Sequence, residues 1–160
     1  MTDASAVPTL RAVFRAEIEG HRALLAVLMA EQDALRTANA EAVGVAAASK
    51  LRHVSELEAL ARQRTELVIA LGLAFTPGGV ETGNLEPSLA AQIRSDWITL
   101  RSIAAEAREA NALNGRLIAR QQRQCESALA TLMQASGRSP VYGADGRPER
   151  DLPARPLVTI

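Results

Sequence analysis

The fold is decided by residues 10–35, which read LRAVFRAEIEGHRALLAVLMAEQDAL. Large residues recur in this stretch at steps of three and four, a spacing that places them on one face of an α-helix. The members of this stripe are Leu10, Phe14, Ile18, His21, Leu25, Leu28 and Leu35. Pro8 suits the first turn of a helix, where its missing N–H costs nothing. The pattern therefore predicts a first helix from Pro8 to Thr37.

A second helix follows after a joint of two residues. Asn39 is a suitable N-cap, because its side-chain oxygen can accept a hydrogen bond from a free amide two or three residues further on. The stripe that follows consists of Val43, Ala47, Leu51, Val54, Leu57, Leu60, Arg64, Leu67 and Leu71. The prediction is a helix from Asn39 to Leu71 that ends near Gly72. Because the joint is short, the first two helices should be antiparallel neighbours.

A loop and a third, longer helix come next. Residues 76–87 contain three glycines and two prolines and show no helical period, so we expect a loop without any regular element. The stripe then resumes with Leu89, Ile93, Trp97, Leu100, Ala104, Ala107, Asn111, Asn114, Ile118, Cys125, Leu129 and Leu132. Gly137 stops this pattern, which predicts a helix from Ser88 to Ser136.

The composition agrees with an all-α protein. Of the 160 residues, 48% are apolar and only 2% are aromatic, and helix formers dominate the chain. We expect one domain, residues 1–136, built as an antiparallel bundle of three long helices with coiled-coil-like packing. Residues 137–160 carry four prolines and three glycines, a composition that buries too little surface to offset its ordering entropy. They are expected to be a flexible tail.

Charge and composition exclude several classes of function. Eighteen basic residues balance 18 acidic ones, so neither nucleic acid nor an anionic membrane surface is an expected partner. The longest apolar run, residues 67–75, is far shorter than the roughly 20 residues of a spanning helix, so we expect no membrane insertion. The start of the chain does not resemble a secretory signal, and Cys125 is the only cysteine. Both features favour the cytosol.

No motif for catalysis or cofactor binding is present in the sequence. His21 and His53 lack a second ligand at the spacing that a metal site on one helix face needs. There is no Gly-x-x-x-x-Gly-Lys phosphate loop, and no strand-turn-helix context for a nucleophile. We therefore predict that the protein is not an enzyme and uses no metal, cofactor or small-molecule substrate.

The length of the third helix favours a binding function. At about 1.5 Å per residue it would extend roughly 70 Å, whereas the first two helices would span roughly 45 to 50 Å. Residues 117–133 would then have no partner in the bundle although they continue the apolar stripe, which suggests an external partner. The alternative is that this segment folds back or self-associates. The candidate contact residues are Arg116, Leu117, Ile118, Arg120, Cys125, Leu129 and Leu132, with Arg123 at the rim.

Three further features are polar or aromatic. Asn111 and Asn114 fall on the apolar seam, where such residues often fix the register of coiled coils at the expense of stability, and we predict that role for them. The basic and glutamine-rich residues 116–124 fit a solvated helix face better than a nucleic-acid site. Tyr142 stands between turn formers in the tail. It is either part of a short docking motif or a residue without a specific role, and the sequence leaves both interpretations open.

Several motifs, taken together, are similar to those of one known family. The second half carries Asn111-Ala-Leu-Asn-Gly-Arg-Leu-Ile118, preceded by Trp97-x-x-Leu100 and followed by Leu129-x-x-Leu132 and Tyr142-Gly-Ala-Asp-Gly146. The first half carries Leu24-Leu25, Glu31 and Leu35, then Lys50, Leu57, Leu60 and Arg64. This set resembles the FlgN family of flagellar type III export chaperones over nearly the whole chain. Asn39 replaces the acidic residue that tends to open the second helix there, and both residue types cap equally well.

The resemblance implies a cytosolic chaperone that covers the terminal helices of the hook–filament junction proteins FlgK and FlgL until export. It also implies docking on the export-gate protein FlhA, with Tyr142 as a contact and without ATP or metal. The competing interpretation is a self-associating structural coiled-coil protein without cargo, in which a homo-oligomer would bury the stripe of the third helix. A chaperone for virulence effectors is disfavoured, because those proteins are usually compact α/β dimers.

Overall fold

Three long helices form the protein in a computed structural model, which describes residues 6–76, 79–83 and 85–136. Helix α1 spans Ala6–Arg36, α2 spans Ala40–Ala70 and α3 spans Pro87–Ala135. These bounds confirm the predicted all-α fold of three helices. The predicted tail, residues 137–160, lies outside the described residues. The described residues form two compact units, the first ending at Ile118 and the second comprising residues 119–136.

The ends of the first two helices follow from residues with special backbone or capping properties. Asn39 caps α2, and its side chain accepts a hydrogen bond from the Ala42 amide at 3.0 Å, which confirms the predicted N-cap. At the other end of α2, Gly72 has a φ of 65°, a conformation that glycine adopts without strain. The Leu73 amide donates to the Val68 carbonyl at 2.9 Å, which closes the helix in a Schellman motif.

A small β-hairpin connects α2 to α3. Strand β1 spans Ala74–Thr76 and pairs antiparallel with β2, Gly79–Glu81, with Phe75 opposite Val80. The expectation that residues 76–87 contain no regular element is therefore wrong. Strands of three residues are too short to show the alternation by which a strand is recognised in a sequence. Among the described residues this two-stranded sheet is the only one.

The main hydrophobic core lies where the start of α1, the end of α2, the hairpin and the start of α3 meet. Its most buried members are Leu10, Phe14 and Ile93, none of which exposes any surface. The cluster as a whole contains Val7, Leu10, Phe14, Ile18, Val68, Leu71, Leu73, Val80, Ile93 and Leu100. The hairpin thus belongs to the core through Val80 and is not a peripheral loop.

A smaller apolar cluster continues the core along the bundle. It consists of Leu24, Leu28, Leu57 and Ala107, with Leu25 and Ala110 packed against it. Gly20 allows α1 and α2 to approach closely at this point, because a Cβ atom there would lie 2.9 Å from Leu57 Cδ2. The members on α3 are alanines, so α3 contributes much less apolar volume here than it does in the main core.

Candidate functional site

The predicted contact residues of α3 occupy two different environments. In the first unit, Arg116 is exposed while Leu117 and Ile118 are half-buried. In the second unit, all the predicted residues are exposed: Arg120, Arg123, Cys125, Leu129 and Leu132.

The described part of the second unit, residues 119–136, presents an apolar stripe on its surface. Leu129 is 59% exposed and Leu132 is 66% exposed, and both follow Cys125 at helical spacing. Met133 is also exposed and extends the same stripe. Large apolar side chains that gather on one exposed face mark surfaces where another protein binds.

Asn114 lies at the centre of a buried polar network. Its Nδ2 donates hydrogen bonds to the Leu28 carbonyl at 2.8 Å and to Glu31 Oε2 at 2.9 Å. The other oxygen of Glu31 accepts from Lys50 Nζ at 2.7 Å, so this network joins α1, α2 and α3. Asn111 is exposed instead, although the stripe placed both asparagines on the seam.

A second buried carboxylate lies two heptads earlier on α1. Glu17 is 2% exposed, and its Oε2 accepts from Arg64 Nε at 2.8 Å. The Arg64 guanidinium also lies over the rings of Phe75 and Trp97, with its central carbon 5.2 and 5.3 Å from their centroids. These rings stack on each other at 4.2 Å, so the hairpin helps to hold Arg64 in place.

The sequence analysis did not predict that the carboxylates of Glu17 and Glu31 are both buried. A signal was available, because each carboxylate follows a stripe residue at a step of three, after Phe14 and Leu28 respectively. Acidic residues at stripe positions are seldom buried unless a basic residue pairs with them.

A groove runs between α2 and α3 in the first unit, and α1 forms its floor. It consists of two cavities with volumes of about 500 Å³ and about 300 Å³. Both cavities are lined by His21, Leu24, Val54, Ala104 and Arg108, so they adjoin each other. A groove of this volume, with a mainly apolar lining, can bind a row of apolar side chains from another segment.

The described part of the chain shows neither a metal centre nor a membrane-spanning helix. No group of three or more histidine, cysteine or acidic side chains there is arranged to hold a metal ion. No helix among these residues is both long and apolar enough to span a membrane. Tyr142, the predicted docking residue, lies outside the described residues.

Comparison with known proteins settles the family. A family model described as FlgN protein matches residues 1–150. The chain belongs to the FlgN family. Members of the FlgN family are flagellar chaperones. No curated protein and no solved structure matches the sequence.

Several of the residues whose pattern resembles the FlgN family make contacts that stabilise the fold. Glu31, Lys50 and Asn114 form the network that joins the three helices, and Arg64 neutralises Glu17. In this FlgN-family protein, these motif residues therefore hold the bundle together.

Because of Glu17, we expect the stability of this FlgN-family protein to depend on pH. Burial raises the pKa of the Glu17 carboxyl above its ordinary value of 4.5, and the hydrogen bond and charge of Arg64 offset only part of that effect. The folded chain therefore binds this proton more tightly than the unfolded chain. The resulting stabilisation is complete below the unfolded pKa and is lost as the pH rises through the folded pKa.

We expect the free energy of unfolding of the wild type to rise relative to that of Glu17→Gln as the pH is lowered from 7 towards 4.5. Urea unfolding at a series of pH values, followed by circular dichroism, measures this difference. Glu19→Gln is the control, because Glu19 is exposed and its replacement should leave the pH profile unchanged. A wild type that loses stability relative to Glu17→Gln on acidification would contradict the prediction.

Proposed function

We propose that this protein is a cytosolic export chaperone that binds the terminal helices of the junction proteins FlgK and FlgL. It delivers them to the flagellar type III export gate. The observation that carries the proposal is the exposed apolar stripe of residues 125–133, on a chain that belongs to a chaperone family. Helices that assemble with other subunits expose apolar faces before assembly, and a chaperone helix with a matching stripe can cover them.

The proposed contact assigns different roles to different side chains. Leu129 and Leu132 are the apolar anchors, and Cys125, which is exposed one turn earlier, belongs to the same contact. Leu117 and Ile118, which are half-buried in the first unit, are assigned the same apolar role. Arg116, Arg120 and Arg123 form the polar rim, where charges affect the rate and specificity of binding more than the affinity.

Leu129→Asp should weaken binding of FlgK by about tenfold or more, because it places a charge without a partner in the apolar contact. Isothermal titration calorimetry with purified FlgK measures the affinity. Ser127→Asp is the matched control, since it adds the same charge about 200° around the helix from Cys125 at an exposed position. The stability of both variants should stay close to that of the wild type.

Two outcomes would contradict this assignment. If FlgK binds Leu129→Asp as strongly as the wild type, this stripe is not the cargo-binding site. A wild-type oligomer that Leu129→Asp dissociates, with no measurable FlgK binding by either protein, would favour the self-associating structural protein instead.

Docking on the export-gate protein FlhA is assigned to Tyr142. An aromatic ring that a partner buries contributes about 1.5 to 3 kcal/mol, enough for a weak and reversible contact. Tyr142→Ala should therefore reduce FlhA binding and motility while the melting temperature and the FlgK affinity stay unchanged. Tyr142→Phe is the control, because it keeps the ring. Wild-type swarming and export by Tyr142→Ala would show that the tyrosine has no such role.

A further inference from the structure

The groove between α2 and α3 has the length of a short helix. Its α2 wall extends from Lys50 to Arg64 and its α3 wall from Trp97 to Asn111. Each wall thus covers 15 residues, or roughly 20 Å of helix. Residues that line the groove recur at steps of three and four on both walls, so the groove follows the helix axes.

Large apolar side chains are left exposed along this groove. Leu51 is 70% exposed and Val54 is 38% exposed, although both belong to the same stripe of α2 as the buried Leu57. The opposite wall of α3 carries the small residues Ala104 and Ala107 at this level, which leaves space beside them. The stripe of α2 is therefore covered by α1 on one side only, and its other side faces the groove.

Among the described residues that line the groove, the charged side chains without an ion pair are Arg101 and Arg108 on α3 and Glu58 on α2, so basic charge is in excess. Lys50 and Arg64 are already paired with Glu31 and Glu17. Arg101 and Arg108 on the α3 wall are exposed, and no carboxylate of the described residues lies within ion-pair distance of either. Their positions differ by seven residues, so both guanidinium groups lie on the same side of α3, about 10 Å apart along its axis.

We propose that this groove binds an amphipathic helix of about 15 residues from a partner protein. The partner helix places an apolar stripe against Leu51, Val54 and Leu57. It carries two acidic residues, seven positions apart, on the edge that faces Arg101 and Arg108. The matching charges select this occupant, because a helix with a basic or neutral edge leaves both arginines without a partner. The groove shares no residue with the stripe of residues 125–133 that the proposed function uses.

Trp97 provides a direct signal for occupancy of the groove. It is the only tryptophan of the chain, and it lines the larger cavity. The probe is a synthetic helical peptide of 16 residues without tryptophan, with leucines at steps of three and four and glutamates at two edge positions seven apart. A second peptide of the same sequence carries lysines at those two positions. We expect the full-length protein to bind the glutamate peptide about tenfold or more tightly than the lysine peptide.

Variants of exposed residues test the assignment without disturbing the core. The double variant Arg101→Glu, Arg108→Glu should invert the preference between the two peptides, whereas the double variant Arg15→Glu, Arg62→Glu should leave it unchanged. Leu51→Asp should abolish binding, and Ile69→Asp should not, although Ile69 is 71% exposed and also lies on α2. Circular dichroism checks that each variant remains helical.

Four results would overturn the proposal. The first is failure of the wild type to bind the glutamate peptide, and the second is equal affinity for both peptides. The third is a wild-type dimer that Leu51→Asp dissociates, which would assign the groove to a second copy of this chain. The fourth is a change in Trp97 fluorescence caused by Leu129→Asp without any peptide, which would assign it to the chain's own residues 119–136.

Discussion

Lys50→Met should lower the free energy of unfolding by about 3–5 kcal/mol, because it leaves the carboxylate of Glu31 buried without its cation. Glu31 is 1% exposed and keeps only the hydrogen bond from Asn114 in this variant. A neutral amide stabilises a buried carboxylate much less than an ammonium group does. Urea unfolding at pH 7, followed by circular dichroism, measures the change.

A second variant separates the buried charge from the loss of the lysine itself. The double variant Glu31→Leu, Lys50→Met removes both charges and should recover most of the lost stability, since apolar pairs of similar volume often replace buried ion pairs well. Asn114 then keeps its bond to the Leu28 carbonyl. Arg52→Met is the control, because Arg52 lies two residues further along α2 and is exposed. Equal stability of Lys50→Met and Arg52→Met would show that Glu31 does not depend on Lys50.

Phe14→Ala should also destabilise the protein by about 3–5 kcal/mol, through the loss of buried surface and the cavity that remains. Phe14 exposes none of its surface in the main core, and its ring and that of Trp97 pack in a T-shaped arrangement with centroids 6.3 Å apart. The cavity would lie between the helices and the hairpin, where backbone from several elements limits collapse. Thermal and urea unfolding measure the loss, and Trp97 fluorescence reports the change around the ring.

The size of the replaced side chain provides the control for Phe14. Phe14→Leu keeps most of the apolar volume and should cost about 1–2 kcal/mol, whereas Ile98→Ala at a site that is exposed should stay within about 0.5 kcal/mol. If Phe14→Ala lowers the free energy of unfolding by no more than Ile98→Ala does, Phe14 does not belong to the main core.

The three helices could be predicted from sequence to within two residues at their ends. Long stripes at steps of three and four leave little ambiguity, and Asn39, Gly72 and Pro87 mark the ends by their own backbone chemistry. The hairpin could not be predicted. Its stability comes from Phe75 and Val80 packing against the helices, which is a tertiary effect that a six-residue pattern does not reveal.

The candidate surfaces were predictable only in part. The stripe around Leu129 could be predicted, because its apolar spacing continues that of the rest of α3, and its leucines are exposed. The groove does not follow from the pattern, since Leu51 and Val54 read as core residues of α2 like their buried neighbour Leu57. Whether a stripe residue is covered depends on the distance between two helices, and a periodic sequence does not specify that distance.

The two ion pairs between α1 and α2 favour one alignment of these alanine-rich helices along each other. Glu17 and Glu31 are 14 residues apart, as are their partners Arg64 and Lys50. If α2 slid by one heptad in one direction, Glu17 would face Leu57 and Glu31 would face Val43, and in the other direction they would face Leu71 and Leu57.

Either shift would bury two carboxylates against apolar side chains, at a cost of several kcal/mol for each ion. Stripes of leucine and alanine alone discriminate poorly between such shifts, because every heptad offers similar apolar volume. The carboxylates therefore raise the energy of misaligned compact states more than they lower that of the native one, and this widens the gap that makes folding to a single structure possible.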